Sequence, residues 1–231
     1  MPIHVGCSGL PVKRESYFKA LNAVEILPSQ EVPPKPASAA RWLEEAPEEF
    51  AFSLVASRLV SATPEHLPPG LDGDPRNYGG LQLTPEVRAL TDKTLETALA
   101  MRAKMVVFVT TPQLRPGPRG RETLGRFFKS IDRRGLSFAW EPHGPWEEAE
   151  IAALCEELDL TRCFDPLRDE PPAGATAYAR LGPFAVMGRA FADDELEEIA
   201  EVLDGYDEAY CFFGTERDFS DAQRLLSMCN R

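Results

Sequence analysis

The sequence predicts an α/β fold in which eight parallel strands, each followed by a helix, close into a single (β/α)8 TIM-type barrel. Three observations support this prediction: the number and order of the strand-like segments, the chain length, and the turn after the first strand. The 231 residues lie near the lower end of the range for such barrels, roughly 200 to 250 residues. The alternative, an open doubly wound sheet, should carry a Gly-rich phosphate turn after its first strand, and GCSGLP at 6–11 is no GxGxxG.

Each strand is predicted from a short run rich in β-branched and aromatic residues. In chain order the runs are IHVGCS (3–8), AVEIL (23–27), AFSLVA (51–56), MVVFVT (105–110), LSFAWE (136–141), TRCFD (161–165), TAYARL (176–181) and AYCFF (209–213). They alternate with longer amphipathic segments, which is the pattern of repeated β–α units around a parallel sheet. The helical segments are PASAARWLEEA, TPEVRALTDKTLETALAMRA, RETLGRFFKSI, WEEAEIAALCEELD, DDELEEIAEVLDG and SDAQRLLSMC.

One connection is unusually long. From Arg58 to about Leu83 the chain is rich in Pro and Gly, and it joins the third strand to its helix. Loops of this length usually form functional lids or disordered segments. In a barrel this loop, at about 58–83, would lie over the C-terminal face, where active sites form. Because the chain has no internal repeat or low-complexity tract, we expect residues 1–231 to form a single domain.

The composition, 43% hydrophobic and 27% charged, is typical of a globular protein with a sizeable core. No apolar run approaches the roughly 18 to 20 residues that cross a bilayer. The first ten residues lack the basic and long apolar regions of a signal peptide. We therefore expect a soluble, cytoplasmic protein with no membrane association.

Net charge and cysteine content argue against further classes of partner and site. The net charge of −12 repels phosphate backbones at long range, which disfavours nucleic acid as a partner. The basic stretch RPGPRGR at 115–121 is Pro- and Gly-rich, as a solvated loop would be. Five cysteines without a CxxC pair indicate reduced thiols rather than disulfides or a structural zinc site. No motif indicates a cofactor, and the oligomeric state stays open.

In a barrel, the ends of the strands bring distant residues together. Glu25 and Glu141 lie within or at the end of apolar strands. Burying a carboxylate there costs free energy, which is unexpected unless the group has a function. If the two face each other, they could share general acid and base chemistry, as in glycoside hydrolysis. In the alternative, each carboxylate pairs with an arginine or caps a helix.

Three further residues near strand ends are candidates for ligand binding. Arg180 interrupts the apolar strand TAYARL and could bind an anionic group, neutralise Glu25 or Glu141, or do both. Asp165 could be a base or a ligand, although an Asp before Pro is more often a turn or cap residue. Ser8 ends the first strand beside Cys7, for which a buried, unreactive thiol is the commoner case.

The stretch FAWEPHGPW at 138–146 ends a strand with helix-breaking residues around an imidazole. His143 could be a general acid, a phosphate contact or a metal ligand. Trp146 could form an apolar wall for a ligand or pack within the loop. The chain has only three histidines, so a centre of several metals built on histidine is not expected. One divalent ion held by Glu25, Glu141 and Asp165 is the remaining metal alternative.

The same strand ends resemble those of the domain-of-unknown-function-72 family, also called YecE-like. The resemblance spans nearly the whole chain and is carried by VGCSGLP, LNAVEIL, ARWLEEAPEEFAFSL, KMVVFVTTP, FAWEPHGPW, LTRCFDPLRDEPP, TAYARLG, YCFFGT and SDAQRLL. The WEP-x-G-x-W form is similar to a subgroup common in archaeal and some bacterial members. The resemblance implies a TIM-type barrel and leaves the reaction open.

Several positions depart from the pattern that the resemblance implies. Family members usually carry Lys, a Thr-His pair, Arg, His and an Asn-Asn pair where this chain has Val55, Ser61-Ala62, His143, Gly182 and Gly214-Thr215. The matching site residues are Ser8, Glu25, Glu141, Asp165 and Arg180. If the common ligand of the family is anionic, these losses imply that this chain binds it poorly. The substrate has then changed, or catalysis has been lost.

Three functions are open at this point, and whether the chain is an enzyme is uncertain. The first is hydrolase- or lyase-like chemistry on a small polar metabolite at the C-terminal face, with Glu25, Glu141 and His143 as catalytic groups. The second is a diverged, non-catalytic module that binds a metabolite or a protein. The third is metal-dependent processing of nucleic acid, which rests on fold analogy alone.

Overall fold

A computed structural model describes residues 2–29, 31–62, 71, 73–182, 190–214 and 219–230. Its strands are β1 (Ile3–Ser8), β2 (Ala23–Ile26), β3 (Ala51–Val55), β4 (Met105–Val109), β5 (Phe138–Glu141), β6 (Thr161–Phe164), β7 (Thr176–Leu181) and β8 (Glu208–Phe213). Its helices are α1 (Arg14–Ala20), α2 (Pro36–Glu45), α3 (Arg58–Ser61), α4 (Pro85–Ala100), α5 (Pro118–Ser130), α6 (Glu148–Leu158), α7 (Asp193–Asp204) and α8 (Phe219–Cys229). A short 3-10 helix spans Pro75–Asn77.

The eight strands form a closed barrel in sequence order, from β1 to β8. β1 is parallel to both β2 and β8, and β6 is parallel to β7. The predicted (β/α)8 barrel is therefore confirmed. β5 begins at Phe138, later than predicted, because the Leu136 amide donates to the Arg133 carbonyl (2.9 Å) and closes a turn there.

Two helices were not predicted from the sequence. α1 has seven residues, which is shorter than the window of about 11 to 18 residues over which helical periodicity can be recognised. α3 has four residues and begins after Ser57, whose hydroxyl accepts a hydrogen bond from the Leu59 amide (3.1 Å). Such a cap satisfies a backbone donor that a helix start leaves unpaired.

The chain forms two compact units. The first comprises the described parts of Met1–Ile26, Leu43–Ser53 and Thr161–Arg231, and the second those of Leu27–Trp42 and Leu54–Leu160. In the first unit, the Tyr178 ring contacts the Tyr210 and Phe212 rings. The core of the second unit contains a cluster of buried aromatic rings, formed by Phe108, Phe127, Phe128 and Phe138. The single domain over residues 1–231 stays a prediction.

The long connection after β3 is described in part, because residues 63–70 and Asp72 lie outside the described residues. Its later part returns to α3: the Gly79 amide donates to the Leu59 carbonyl (2.6 Å) and the Leu81 amide to the Val60 carbonyl (2.9 Å). The proposed lid over the C-terminal face stays a prediction. Among the described helices, none is both long and apolar enough to span a membrane.

Tyr17 of α1 ties β1 to β2. Its hydroxyl accepts a hydrogen bond from the Cys7 amide (2.7 Å) and donates one to the Ala23 carbonyl (2.9 Å). Burial raises the pKa of Tyr17, so the hydroxyl keeps its proton and can donate. The contact links Cys7, the residue before Ser8, to Ala23, the first residue of β2 and two residues before Glu25.

Replacing Tyr17 by Phe should destabilise the protein by roughly 1–3 kcal/mol, because two buried backbone groups each lose a hydrogen-bond partner. The free energy of unfolding in urea measures this loss. Tyr206→Phe is the control, since the Tyr206 hydroxyl makes a single bond, to the Pro172 carbonyl. A loss in Tyr17→Phe no larger than in the control would show that the bridge contributes nothing of its own.

Candidate functional site

A fully buried carboxylate lies near the end of β2. Glu25 is 0% exposed, and its two oxygens accept hydrogen bonds from three side chains of the first unit. Oε2 accepts from the Ser8 hydroxyl (2.7 Å) and from Nη2 of Arg180 (2.9 Å), and Oε1 accepts from the Tyr178 hydroxyl (3.0 Å). The structure thus brings together three residues that the sequence predicted: Ser8, Glu25 and Arg180.

Strand register explains how these residues meet. Ser8 pairs with Glu25 across β1 and β2, and the Gly9 amide donates to the Glu25 carbonyl (2.8 Å) at the point where β1 ends. Tyr178 and Arg180 are two residues apart on β7, so their side chains project from the same face of the strand. The sequence analysis missed Tyr178. Its position two residues before Arg180 was the available signal.

The negative charge of Glu25 is compensated by the positive charge of Arg180 and by two hydroxyl donors. Burial and the neighbouring Glu25 carboxylate raise the pKa of Tyr178 far above its usual range, so its hydroxyl stays protonated and donates to the carboxylate. Arg180 supplies the positive charge at 2.9 Å, and 18% of its side chain is exposed. A buried carboxylate is tolerated when it is paired and hydrogen-bonded in this way. Glu25 is therefore oriented by three donors.

Asp165 follows the last residue of β6. Phe164 pairs with Ala179 on β7, which places Asp165 and Arg180 at neighbouring positions where the two strands end. The Asp165 carboxylate accepts a hydrogen bond from the Leu167 amide (3.1 Å) and lies 3.5 Å from Arg168. Burial is the main cause that raises the pKa of Asp165. The residue thus has the turn contacts expected of an Asp before Pro, together with a carboxyl group that is harder to ionise.

In the second unit, Glu141 ends β5 and His143 follows it. Nε2 of His143 lies 3.0 Å from Oε1 of Glu141, and the two side chains are 38% and 21% exposed. Burial lowers the pKa of His143, which favours a neutral imidazole at pH 7. These two predicted catalytic residues are therefore in contact. A facing arrangement of Glu141 with Glu25 stays a prediction.

The predicted ligand wall, Trp146, is a packed residue. It is buried, its ring contacts Trp140 edge-to-face at 5.4 Å, and its indole N–H donates to the Leu114 carbonyl (3.0 Å). These contacts anchor the loop that follows β5. A ligand contact by Trp146 stays a prediction.

No group of three or more His, Cys, Asp or Glu side chains that could hold a metal ion occurs among the described residues. Val55 and Ala62, two of the positions that depart from the resemblance, are buried apolar residues. His66 and Thr215 lie outside the described residues. None of the five cysteines forms a disulfide, and four of them are buried.

The family follows from a match over almost the entire chain. Residues 10–231 match the family described as "Protein of unknown function DUF72". The chain belongs to this family. The resemblance seen in the sequence motifs is therefore confirmed.

Solved structures of DUF72 proteins share the fold of this DUF72 chain. A family protein from Enterococcus faecalis is 13% identical, with a TM-score of 0.70 over 100% of this chain and 98% of the other. A second, from Thermotoga maritima, is 18% identical, with a TM-score of 0.69 over 100% of both chains. Endonuclease IV from Thermus thermophilus has a TM-score of 0.56 at 14% identity, over 99% of this chain and 97% of the other. No curated protein matches this DUF72 chain. At these identities the likeness establishes the barrel fold only.

Replacing Arg180 by Leu should cost about 3–5 kcal/mol of stability, because it leaves the buried Glu25 carboxylate without its cation. Adding Glu25→Gln should recover part of the loss, since the charge is then gone. Urea unfolding of the wild type, both single variants and the double variant gives the coupling free energy. Arg168→Leu, which breaks a pair with a 53% exposed arginine, should cost at most about 1 kcal/mol. Equal costs for Arg180→Leu and Arg168→Leu would rule out this account.

Asp165→Asn should become more stable relative to the wild type as the pH rises from about 4 to 7. The folded wild type binds its proton more tightly than the unfolded chain, whose Asp pKa is about 3.9. The stabilisation from this tighter proton binding is fully present below the unfolded-state pKa of about 3.9. It is lost as the pH rises through the raised pKa of Asp165 in the folded state. Urea unfolding of both proteins at several pH values measures the difference.

Asp74→Asn is a control of opposite sign, because Arg76 lowers the pKa of Asp74 to about 2. Its stability relative to the wild type should fall as the pH rises from about 2 to 4. A stability difference for Asp165→Asn that does not vary with pH would mean that Asp165 titrates as it does in an unfolded chain.

Proposed function

We propose that this DUF72 protein binds a small polar ligand bearing a carboxylate or carbonyl group, with Arg180 as the anchor, where β1, β2 and β7 end. One observation carries the proposal: the Arg180 side chain, which is 18% exposed, is paired with the fully buried carboxylate of Glu25. Arginine binds planar oxygen groups through paired N–H donors, and binding is strongest when the donor is already oriented. Glu25 provides this orientation.

Stability alone does not explain the cluster. Replacing a buried ion pair by well-packed apolar residues is often neutral or stabilising. A pair in which one partner is fully buried and the other reaches solvent is better suited to binding than to holding the barrel together. One guanidinium also suits a single carboxylate or carbonyl better than a phosphate, which commonly engages several cations or backbone N–H groups.

The contacts of Glu25 favour a positioning role over the acid or base role expected from the sequence. A group that transfers a proton to a substrate must lie within about 3 Å of it. Glu25 is fully buried, and its oxygens face Ser8, Tyr178 and Arg180. The cluster by itself therefore fits a binding module as well as the binding part of an enzyme. No contact of the described residues favours nucleic-acid processing.

A thermal-shift screen against small carboxylates, sugars, phosphorylated metabolites and divalent metals tests the proposal. A carboxylate present at about 100 times its Kd should stabilise the wild type by about 2.7 kcal/mol, or roughly 5–10 °C. Arg180→Lys keeps the charge but loses the planar fork, and we expect its affinity to fall at least about tenfold.

The affinities are then compared by calorimetry at a temperature at which every variant is folded. Glu25→Gln should weaken binding less than Arg180→Lys, because it leaves the guanidinium in place. Arg168→Leu should bind as the wild type does. Equal affinity of wild type and Arg180→Lys, or stabilisation by phosphates alone, would refute the proposal.

A further inference from the structure

The residues after β5 hold an imidazole in one orientation. Nε2 of His143 lies 3.0 Å from a Glu141 oxygen, and both side chains reach solvent. Glu141 is the one charged side chain in contact with His143 within the described part of the chain, and Nδ1 of His143 makes no hydrogen bond there. One ring nitrogen therefore faces a carboxylate, and no described residue binds the other.

Charge determines where the imidazole carries its proton. A neutral imidazole has one N–H and one lone pair. Placing the lone pair beside the Glu141 carboxylate would set two acceptors against each other, so the proton belongs on Nε2. Nδ1 then carries the lone pair and is the basic atom. A carboxylate that fixes the tautomer and later stabilises the imidazolium serves the same purpose in Ser-His-Asp triads.

The loop around His143 makes backbone contacts that do not involve the imidazole. The Thr110 amide donates to the Glu141 carbonyl (3.1 Å), and the Trp146 amide donates to the Gly144 carbonyl (2.9 Å). Gly144 has a φ of +108°, and a Cβ there would lie 3.1 Å from Cα of Pro112, so this position requires glycine. Groups that react are typically held by such supporting contacts.

We propose that Glu141 and His143 form a proton-transfer dyad, in which Nδ1 of His143 takes a proton from a C–H or O–H group of a small-molecule substrate. The proton passes from the substrate to Nδ1, and the electron pair of the broken bond stays on the substrate. Glu141 stabilises the imidazolium through Nε2–H. The proton returns to the product or to solvent, which restores the neutral ring. The dyad does not depend on the ligand proposed for Arg180, and it adds an activity to what is there a binding role.

The tautomer is tested by proton–nitrogen correlation NMR of the imidazole rings, with His143→Asn assigning the signal among the three histidines. We expect the Nε2–H tautomer in the wild type. Glu141→Gln should weaken the tautomer preference, since an amide can present either a donor or an acceptor to Nε2. An Nδ1–H tautomer in the wild type would overturn the proposal.

The activity is tested with 5-nitrobenzisoxazole, a general probe whose isoxazole ring opens when a base removes the C–H proton of that ring. The C–H electrons form a nitrile as the N–O bond breaks, and the phenoxide product is coloured. We expect the wild type to exceed His143→Asn by roughly tenfold or more. The rate should rise with pH through the pKa of His143 found by NMR and then level off.

Glu141→Gln should lower the plateau rate while the protein stays folded, a change that a purely structural pair would not produce. Arg168→Leu, which removes an exposed arginine outside the dyad, should leave the rate unchanged. Equal rates for the wild type and His143→Asn would refute proton transfer by the dyad.

Discussion

The Glu25 carboxylate is buried completely, and a buried charge must be matched by donors and by an opposite charge. Two strands meet this requirement: β1 supplies the Ser8 hydroxyl, and β7 supplies the Tyr178 hydroxyl and the Arg180 guanidinium. The geometry of the site in the first unit depends on this one interaction. Because each donor is bound to the carboxylate, Arg180 reaches solvent from a fixed position.

The two candidate groups of the protein use carboxylates in different ways. Glu25 is buried and orients a cation, which suits the recognition of oxygen groups. Glu141 reaches solvent and orients an imidazole, which suits the transfer of a proton. Burial is the physical difference between them, since a desolvated carboxylate needs a permanent cation, whereas a partly solvated one can face a neutral ring. The same residue type is therefore a candidate for binding in one unit and for proton transfer in the other.

The β5 loop shows how packing serves chemistry. Trp146 is buried against Trp140, and Gly144 adopts a backbone conformation that other residues rarely take. From the sequence, the two tryptophans could have been a ligand surface or part of the core, since an aromatic ring suits both. Both rings pack against each other in the structure, and a ligand contact by Trp146 stays a prediction. The candidate chemistry thus lies in the residue between the anchors.

Hydrophobic periodicity by itself determined the strand order and the barrel, because buried parallel strands need apolar runs and their crossovers need amphipathic helices. It also indicated Ser8, Glu25 and Arg180 as candidate site residues, since burying a polar residue near the end of an apolar strand costs free energy. The short helices α1 and α3 were not predicted, because so few residues cannot show a helical period of hydrophobicity. Only the tertiary structure decided the contacts and the burial of these residues. The Glu25 carboxylate is surrounded by donors, whereas the Glu141 carboxylate lies beside an imidazole. This difference depends on neighbours distant in sequence and on the solvent exposure of each group.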